Sequence, residues 1–126
     1  MKYRLWCKDK NEWEKDSWVI LPNGNLMWVE YGNLVGGVYM KNHVLVKSTG
    51  FKDIEGKEIY EGDIIRYWDN FDEHYKLAII KFDKGSFIMV NDRINWDIGL
   101  INKDDKIKIV GNIYENKDLI KDMDNY

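Results

Sequence analysis

STGFKDIEGKEIYEGDIIRY (Ser48 to Tyr67) places two strand-like runs among closely spaced turn signals, and the rest of the chain is read outward from it. Ser48-Thr49-Gly50 follows the apolar run HVLV with side chains that bond the local backbone and with a permissive glycine. Asp53-Ile54-Glu55-Gly56 is a second turn, where Gly56 can take a positive φ and Asp53 can accept from backbone amides ahead of it. Lys57 to Tyr60 is short and extended. Glu61-Gly62-Asp63 then turns into Ile64-Ile65-Arg66-Tyr67-Trp68, rich in β-branched and aromatic residues. Gly62 lets the backbone reverse without a Cβ clash, and Asp63 can satisfy amides at the strand mouth. Gly50, Gly56, Gly62 and Asp63 are therefore read as structural. Small SH3-like barrels often enter a strand this way, an analogy of fold alone.

TGFKDIEGKEIYEGDII resembles the signature of the YopX family of phage and prophage proteins, Thr-Gly-Leu-Lys-Asp followed by Gly-Lys-Glu-Ile-Tyr-Glu-Gly-Asp. Tyr3-Arg4-Leu5-Trp6 resembles that family's N-terminal Phe-Arg-Ala-Trp. FDKGSF (Phe82 to Phe87) and VGNIYENKDLI (Val110 to Ile120) resemble its later segments. Residues 13–46 and 91–105 match weakly. Cys7 stands where the family usually carries an acidic residue, and Lys47 where glutamine is common. The resemblance implies a mostly β, phage-encoded intracellular protein and implies no established reaction.

At 126 residues the chain suits one unit, with an N-terminal β-region over 1–47 and an SH3-like region over 48–126 as a possible subdivision. Hydrophobic content of 44% against 33% charged residues fits a globular protein and argues against disorder. With 6 Trp and 8 Tyr, aromatic side chains must either fill strand faces or form a contact surface; for any one tryptophan the core is the preferred reading. A net charge of −3 weakens a general phosphate-binding role, and only Arg4, Arg66 and Arg93 offer the guanidinium fork suited to bidentate recognition. The single cysteine excludes an intrachain disulfide and points to a reducing compartment. No run of about 20 apolar residues is present to span a bilayer, and MKYRLWCKDK lacks a secretory apolar region, so the expectation is a cytoplasmic protein of the bacterial host with no membrane association.

Before the signature, residues 2–7 alternate as a strand with Tyr3, Leu5 and Cys7 on one face and Arg4 and Trp6 on the other. Cys7 is read as a small buried hydrophobe, no histidine lying near it in sequence. Residues 8–16 form a charged loop or hairpin tip carrying Trp13. Trp18 to Leu21 and Leu26 to Val29 flank Pro22-Asn23-Gly24-Asn25, a strong hairpin signal. Residues 31–37, with Gly32, Gly36 and Gly37, are read as a bend or bulge. Residues 38–46 are a strand interrupted at Lys41-Asn42-His43, and His43 is expected on the surface or in a turn.

After the signature, residues 69–74 hold three carboxylates and His74 between two strands. Their spacing fits no calcium loop, and a solvated hairpin tip is the better reading. Leu77 to Ile80 is apolar at odd and even positions alike, so this strand is expected to be covered on both faces. Asp83-Lys84-Gly85 joins it to Ser86 to Val90. Residues 91–97 are a polar connection anchored by Trp96, and residues 98–101 are extended or helical. Lys106 to Val110 alternates as an edge strand, with a bulge near Gly111. Asn116 is read as the N-cap of a two-turn helix, with Asp118 near its start and Leu119, Ile120 and Met123 as its apolar stripe; residues 122–126 are expected to fray.

Acidic residues are plentiful (Glu61, Asp63, Asp72, Glu73, Asp104, Asp105), but no nucleophile elbow, metalloprotease helix or cysteine pair appears. The expectation is an all-β, non-enzymatic protein with no cofactor or metal. Its role would be protein–protein interaction with a host or phage protein, with self-association through an exposed edge. Arg4, Trp6, Tyr60, Arg66, Tyr67 and Trp68 are the candidate contact residues, since they place cations and aromatic rings near the signature. The alternative is single-stranded nucleic acid binding by Arg66-Tyr67-Trp68, Lys76 and Lys81, against which the acidic total counts.

Overall fold

A computed structural model describes residues 2–15, 17–100 and 106–121. The chain is mainly β, as the turn and strand signals require, and is built from antiparallel sheets. It divides into two compact units, Arg4–Leu45 and Met1–Tyr3 with Val46–Tyr126. Among the described residues no helix is long and apolar enough to cross a membrane.

The smaller unit holds most of β1 (Tyr3–Cys7), then β2 (Glu12–Trp13), β3 (Trp18–Ile20), β4 (Leu26–Glu30) and β5 (Asn33–Gly37). β1 and β2 pair with Trp6 opposite Trp13 and Cys7 opposite Glu12. β3, β4 and β5 form a three-stranded antiparallel sheet. The expected β3–β4 hairpin is present, its turn held by Leu21 N–H to the Asn25 carbonyl and by Asn25 N–H to Asn23 Oδ1. Residues 31–37, expected as a bend, are instead a second hairpin arm. Tyr31 and Gly32 take φ of 48° and 80°, the pair of positive angles a tight twisted turn needs. The bulge offered as the other reading is present within this arm, at Val35, where the pairing shifts between Trp28 and Val29. Leu5, Leu26 and Val38 form the core of this unit, with Trp18, Trp28 and Leu45 against it.

β6 (His43–Lys52) carries the chain onward into the larger unit. There its later residues pair with β7 (Glu58–Tyr60), Ser48 opposite Tyr60. β8 (Asp63–Asp69), β9 (His74–Asp83), β10 (Ser86–Val90), β11 (Asn95–Asp97) and β12 (Lys108–Asn112) build a five-stranded antiparallel sheet in the order β11-β10-β9-β8-β12. β9 is central and covered on both faces, as its unbroken apolar run predicts. Ala78 and Ile80 join one cluster with Ile65, Tyr67 and Met89, while Ile79 joins Ile64 and Ile120 in another. β11 is a short strand where a polar connection was expected, because Asn91 Oδ1 accepts from Arg93 and Ile94 N–H and turns the chain back. Residues 98–100 resolve as a 3-10 turn.

The expected two-turn C-terminal helix is a single 3-10 turn over Lys117–Leu119. Asn116 makes no side-chain cap bond; its Oδ1 accepts from Asn112 N–H instead. That choice pulls the side chain back toward the β12 end, while Ile120 still docks with 3% exposure. Met123, the expected fraying tail and the acidic residues Asp104 and Asp105 lie outside the described residues.

The signature stretch supplies the fastenings. Gly50, Gly56 and Gly62 all have positive φ (80°, 81° and 86°). Asp63, 2% exposed, accepts from Tyr60 N–H at 2.8 Å. Asp53 does more than close its own turn. Its Oδ1 accepts from Glu55 and Lys57 N–H, and its Oδ2 accepts from Ile109 N–H on β12. Ile54 N–H donates to the Ile107 carbonyl beside it. The β12 border offered by sequence for self-association is therefore engaged by the chain's own turn at these two positions.

Two stability outcomes follow. Asp53→Ala removes the acceptor of three backbone amides, those of Glu55, Lys57 and Ile109, and should cost about 2 kcal/mol in urea unfolding. At Gly62 an added Cβ would meet Tyr114 Cε2 at 3.0 Å and Ile113 Cγ1 at 3.3 Å, whereas at Gly50 it meets nothing within 4 Å. Gly50→Ala should therefore cost about 1 kcal/mol for its backbone angle alone, and Gly62→Ala about 2–3 kcal/mol.

Candidate functional site

β8 presents alternate residues to opposite faces, and this separates the candidate residues it carries. Tyr67 faces inward with Ile65 and is 1% exposed. Its hydroxyl accepts from Asn91 Nδ2 at 3.0 Å, and its ring meets Trp96 edge-on at 5.8 Å. Burial pushes the phenol above its ordinary value, partly opposed by the Asn91 hydrogen bond. Arg66 and Trp68 lie on the other face. The Arg66 guanidinium sits 4.1 Å over the Tyr75 ring, Trp68 meets the same ring edge-on at 5.0 Å, and Lys106 Nζ lies 5.2 Å over Trp68. Tyr75 is directly opposite Trp68 in the β8–β9 register, so the pairing itself builds this ladder of cations and rings. Arg66 Nε is buried without a hydrogen-bond partner. Tyr60, half-buried, is held at its backbone by Asp63.

In the smaller unit, Arg4 lies 4.0 Å over the Trp13 ring, and Trp13 meets Trp6 edge-on at 5.0 Å. Trp6 is 4% exposed. Trp6 and Tyr67, offered by sequence as contacts, are thus buried core side chains. An alternating strand covered on both faces looks, from sequence, like one with a free face.

The hairpin tip at residues 69–74 is held by its own charges. Asp69 Oδ1 accepts from Phe71 and Asp72 N–H, and Lys76 Nζ reaches Asp69 Oδ2 at 2.7 Å and also Asp72. The lysine occupies the carboxylates that a metal ion would need. Phe71 stands almost fully exposed at the tip. A groove beside it is lined by Asp72, His74, Lys76, Asn91, Asp92 and Arg93, of both signs and so without a net attraction for phosphate.

Sequence reading missed a second cluster. His43, expected on the surface or in a turn, closes the 3-10 turn Met40–Asn42 and is buried. Its Nδ1 lies 2.9 Å from the Tyr39 carbonyl and its Nε2 2.9 Å from Glu14 Oε2. Cys7, also buried, brings its sulfur within 4.8 Å of both groups. Positions 7, 14 and 43 share no spacing signal, and only the pairing of strands brings them together.

Two surfaces stay open. The outer face of the three-stranded sheet carries Val19 (39% exposed) and Leu34 (52%), with Val35 (52%) at the bulge. Among the described residues β5 borders that sheet, paired only on its β4 side, and its sequence Asn-Leu-Val-Gly-Gly has no charge to discourage pairing.

A family profile described as YopX protein matches residues 2–121. Among solved structures, the chain is similar to the protein yopX of Bacillus subtilis, with 24% identity, a TM-score of 0.66, and 94% of this chain and 97% of that one covered. It is also similar to protein EF1440 of Enterococcus faecalis, with 21% identity, a TM-score of 0.64, and 95% and 97% covered. No curated protein sequence matches it.

The hairpin-tip ion pair has a defined pH window. Hydrogen bonding to Lys76 holds the Asp69 carboxyl below its ordinary 3.8, and the same contact raises Lys76 above 10.5. A lowered carboxylate stabilises above its unfolded value and loses that as pH falls through the folded one; a raised lysine does the reverse in alkali. Asp69→Asn keeps an acceptor for the loop amides and removes the charge. Its urea midpoint should fall below wild type at pH 7, and the difference should vanish as pH drops below 3.8.

Proposed function

This chain belongs to the YopX protein family, and from that premise we propose that it is a non-enzymatic interaction module that binds a host or phage protein. The observation that carries this reading is the uncharged border strand β5 beside the apolar face of Val19, Leu34 and Val35. An extended peptide added to such a border gains main-chain hydrogen bonds, and alternate side chains along it give specificity. On the larger unit, the exposed edge of Tyr75 and the Arg66 and Trp68 groups around it offer a second polar-aromatic patch. The phage or prophage origin and the cytoplasmic setting are part of the proposal; they rest on the signature resemblance and on the single cysteine. Self-association fits the same border strand better than β12, where Asp53 and Ile54 already engage Ile109 and Ile107.

Single-stranded nucleic acid binding is supported less well. Tyr67 is buried, Lys76 is committed to Asp69 and Asp72, and Trp68 and Tyr75 meet each other and their own cations. Stacking of bases would have to displace those contacts.

The test is affinity capture of the tagged full chain from a bacterial host, with and without nuclease, beside a Leu34→Lys/Val35→Lys variant. Surface changes of this kind shift stability by about 0.5 kcal/mol or less, so the variant stays folded. The expected result is a discrete protein that survives nuclease and is lost by the variant. Nucleic acid in the eluate, partners that vanish with nuclease, or no partner at all would overturn the reading.

A further inference from the structure

The cluster of Cys7, Glu14 and His43 has a chemistry that protein interaction does not call on. His43 Nδ1 faces the Tyr39 carbonyl at 2.9 Å, and a carbonyl can only accept, so Nδ1 carries a ring proton. In a neutral imidazole, Nε2 then presents a lone pair. It faces a carboxylate oxygen of Glu14, also at 2.9 Å. Two acceptors in contact at a buried place need either a hydrogen between them, carried by the ring or by the carboxyl, or a metal ion. Cys7 decides between these. A proton shared by His43 and Glu14 has no use for a third donor, yet the buried free thiol lies within 4.8 Å of both.

We propose that Cys7 Sγ, Glu14 Oε2 and His43 Nε2 bind a divalent transition-metal ion of the zinc class. Mixed sulfur, nitrogen and oxygen donors suit zinc and exclude the hard cations, which take oxygen ligands. A thiolate and a carboxylate balance the two positive charges, so the loaded site is neutral, as its burial demands. The Tyr39 carbonyl holds the ring by its far nitrogen, the usual outer support of a metal-bound histidine. Glu14 N–H to the Leu5 carbonyl and Lys8 N–H to the Asn42 carbonyl fasten the segments that carry the three ligands. Zinc bonds of about 2.0–2.3 Å put tetrahedral donors about 3.4 Å apart, so the imidazole and carboxylate open slightly and the sulfur closes in. Three protein ligands leave a fourth position for water. Lys10 Nζ, 3.5 Å from Glu14 Oε1, leaves Oε2 to the metal.

The experiment titrates the chelator-treated full chain with Co²⁺ and then Zn²⁺. One equivalent of Co²⁺ should give the visible bands of a four-coordinate ion and a near-ultraviolet thiolate-to-cobalt band, both abolished by Zn²⁺. Zn²⁺ should also raise the melting temperature. Cys7→Ser should lose the thiolate band and bind Zn²⁺ about tenfold or more weakly. A wild-type chain that shows no stoichiometric cobalt spectrum, or one in which Cys7→Ser and Glu14→Gln bind as wild type does, overturns the proposal. The wild-type titration decides even if a variant fails to fold.

Discussion

The larger unit depends on what a buried carboxylate demands. Asp53 is 7% exposed, and a charge so placed is tolerable only when its oxygens are filled. They are filled by three backbone amides, two from its own turn and one from Ile109, 56 residues further on. The turn is thereby shaped and the sheet's last strand positioned by one side chain. With Ile54 N–H on the Ile107 carbonyl, the same turn covers part of a strand border that would otherwise be open to other chains. Asp63 repeats the device over a shorter span, on Tyr60 N–H. The signature of this family therefore reads, in this chain, as a set of backbone fastenings around glycines, with its charged residues serving the fold.

Around those fastenings, β8 and β9 carry apolar side chains on both faces, and two clusters form back to back across them. This arrangement explains the high aromatic content without a single role for it. Tyr67 and Trp6 fill space in the interior of their units. Trp68, Tyr75 and Trp13 instead spread beneath cations, where a ring face receives Lys106, Arg66 or Arg4. Cations and rings brought together by strand pairing thus engage each other locally, and the surface they leave is mixed in character.

Much of this was legible in residue order. The hairpins at Asn23-Gly24 and Lys84-Gly85, the two-sided β9 and the forward reach of Asp53 all express local rules of turn chemistry and period. What was not legible depends on distant partners. Residues 31–37 looked like a bend or bulge because of Gly32, Gly36 and Gly37, yet pairing with β4 makes 33–37 a strand that carries a bulge at Val35. Asn116 looked like a helix cap, but Asn112 N–H competes for its oxygen and leaves one 3-10 turn. Cys7 and His43 each looked inert alone; a strand pairing 36 positions apart, which no local pattern records, made them neighbours. Candidate contacts chosen for lying near the signature proved to be partly interior, because alternation along β8 sends every second residue inward.

The signature carboxylates are structural clasps. Native-state hydrogen exchange on the full chain tests this most directly. If Asp53 and Asp63 hold the unit together, the amides of Lys57, Tyr60 and Ile109 exchange only with global unfolding, as slowly as the β9 core. Rapid exchange of these amides, at the rate of the exposed Asp69 tip, would contradict it and return the signature to the candidates for a binding site.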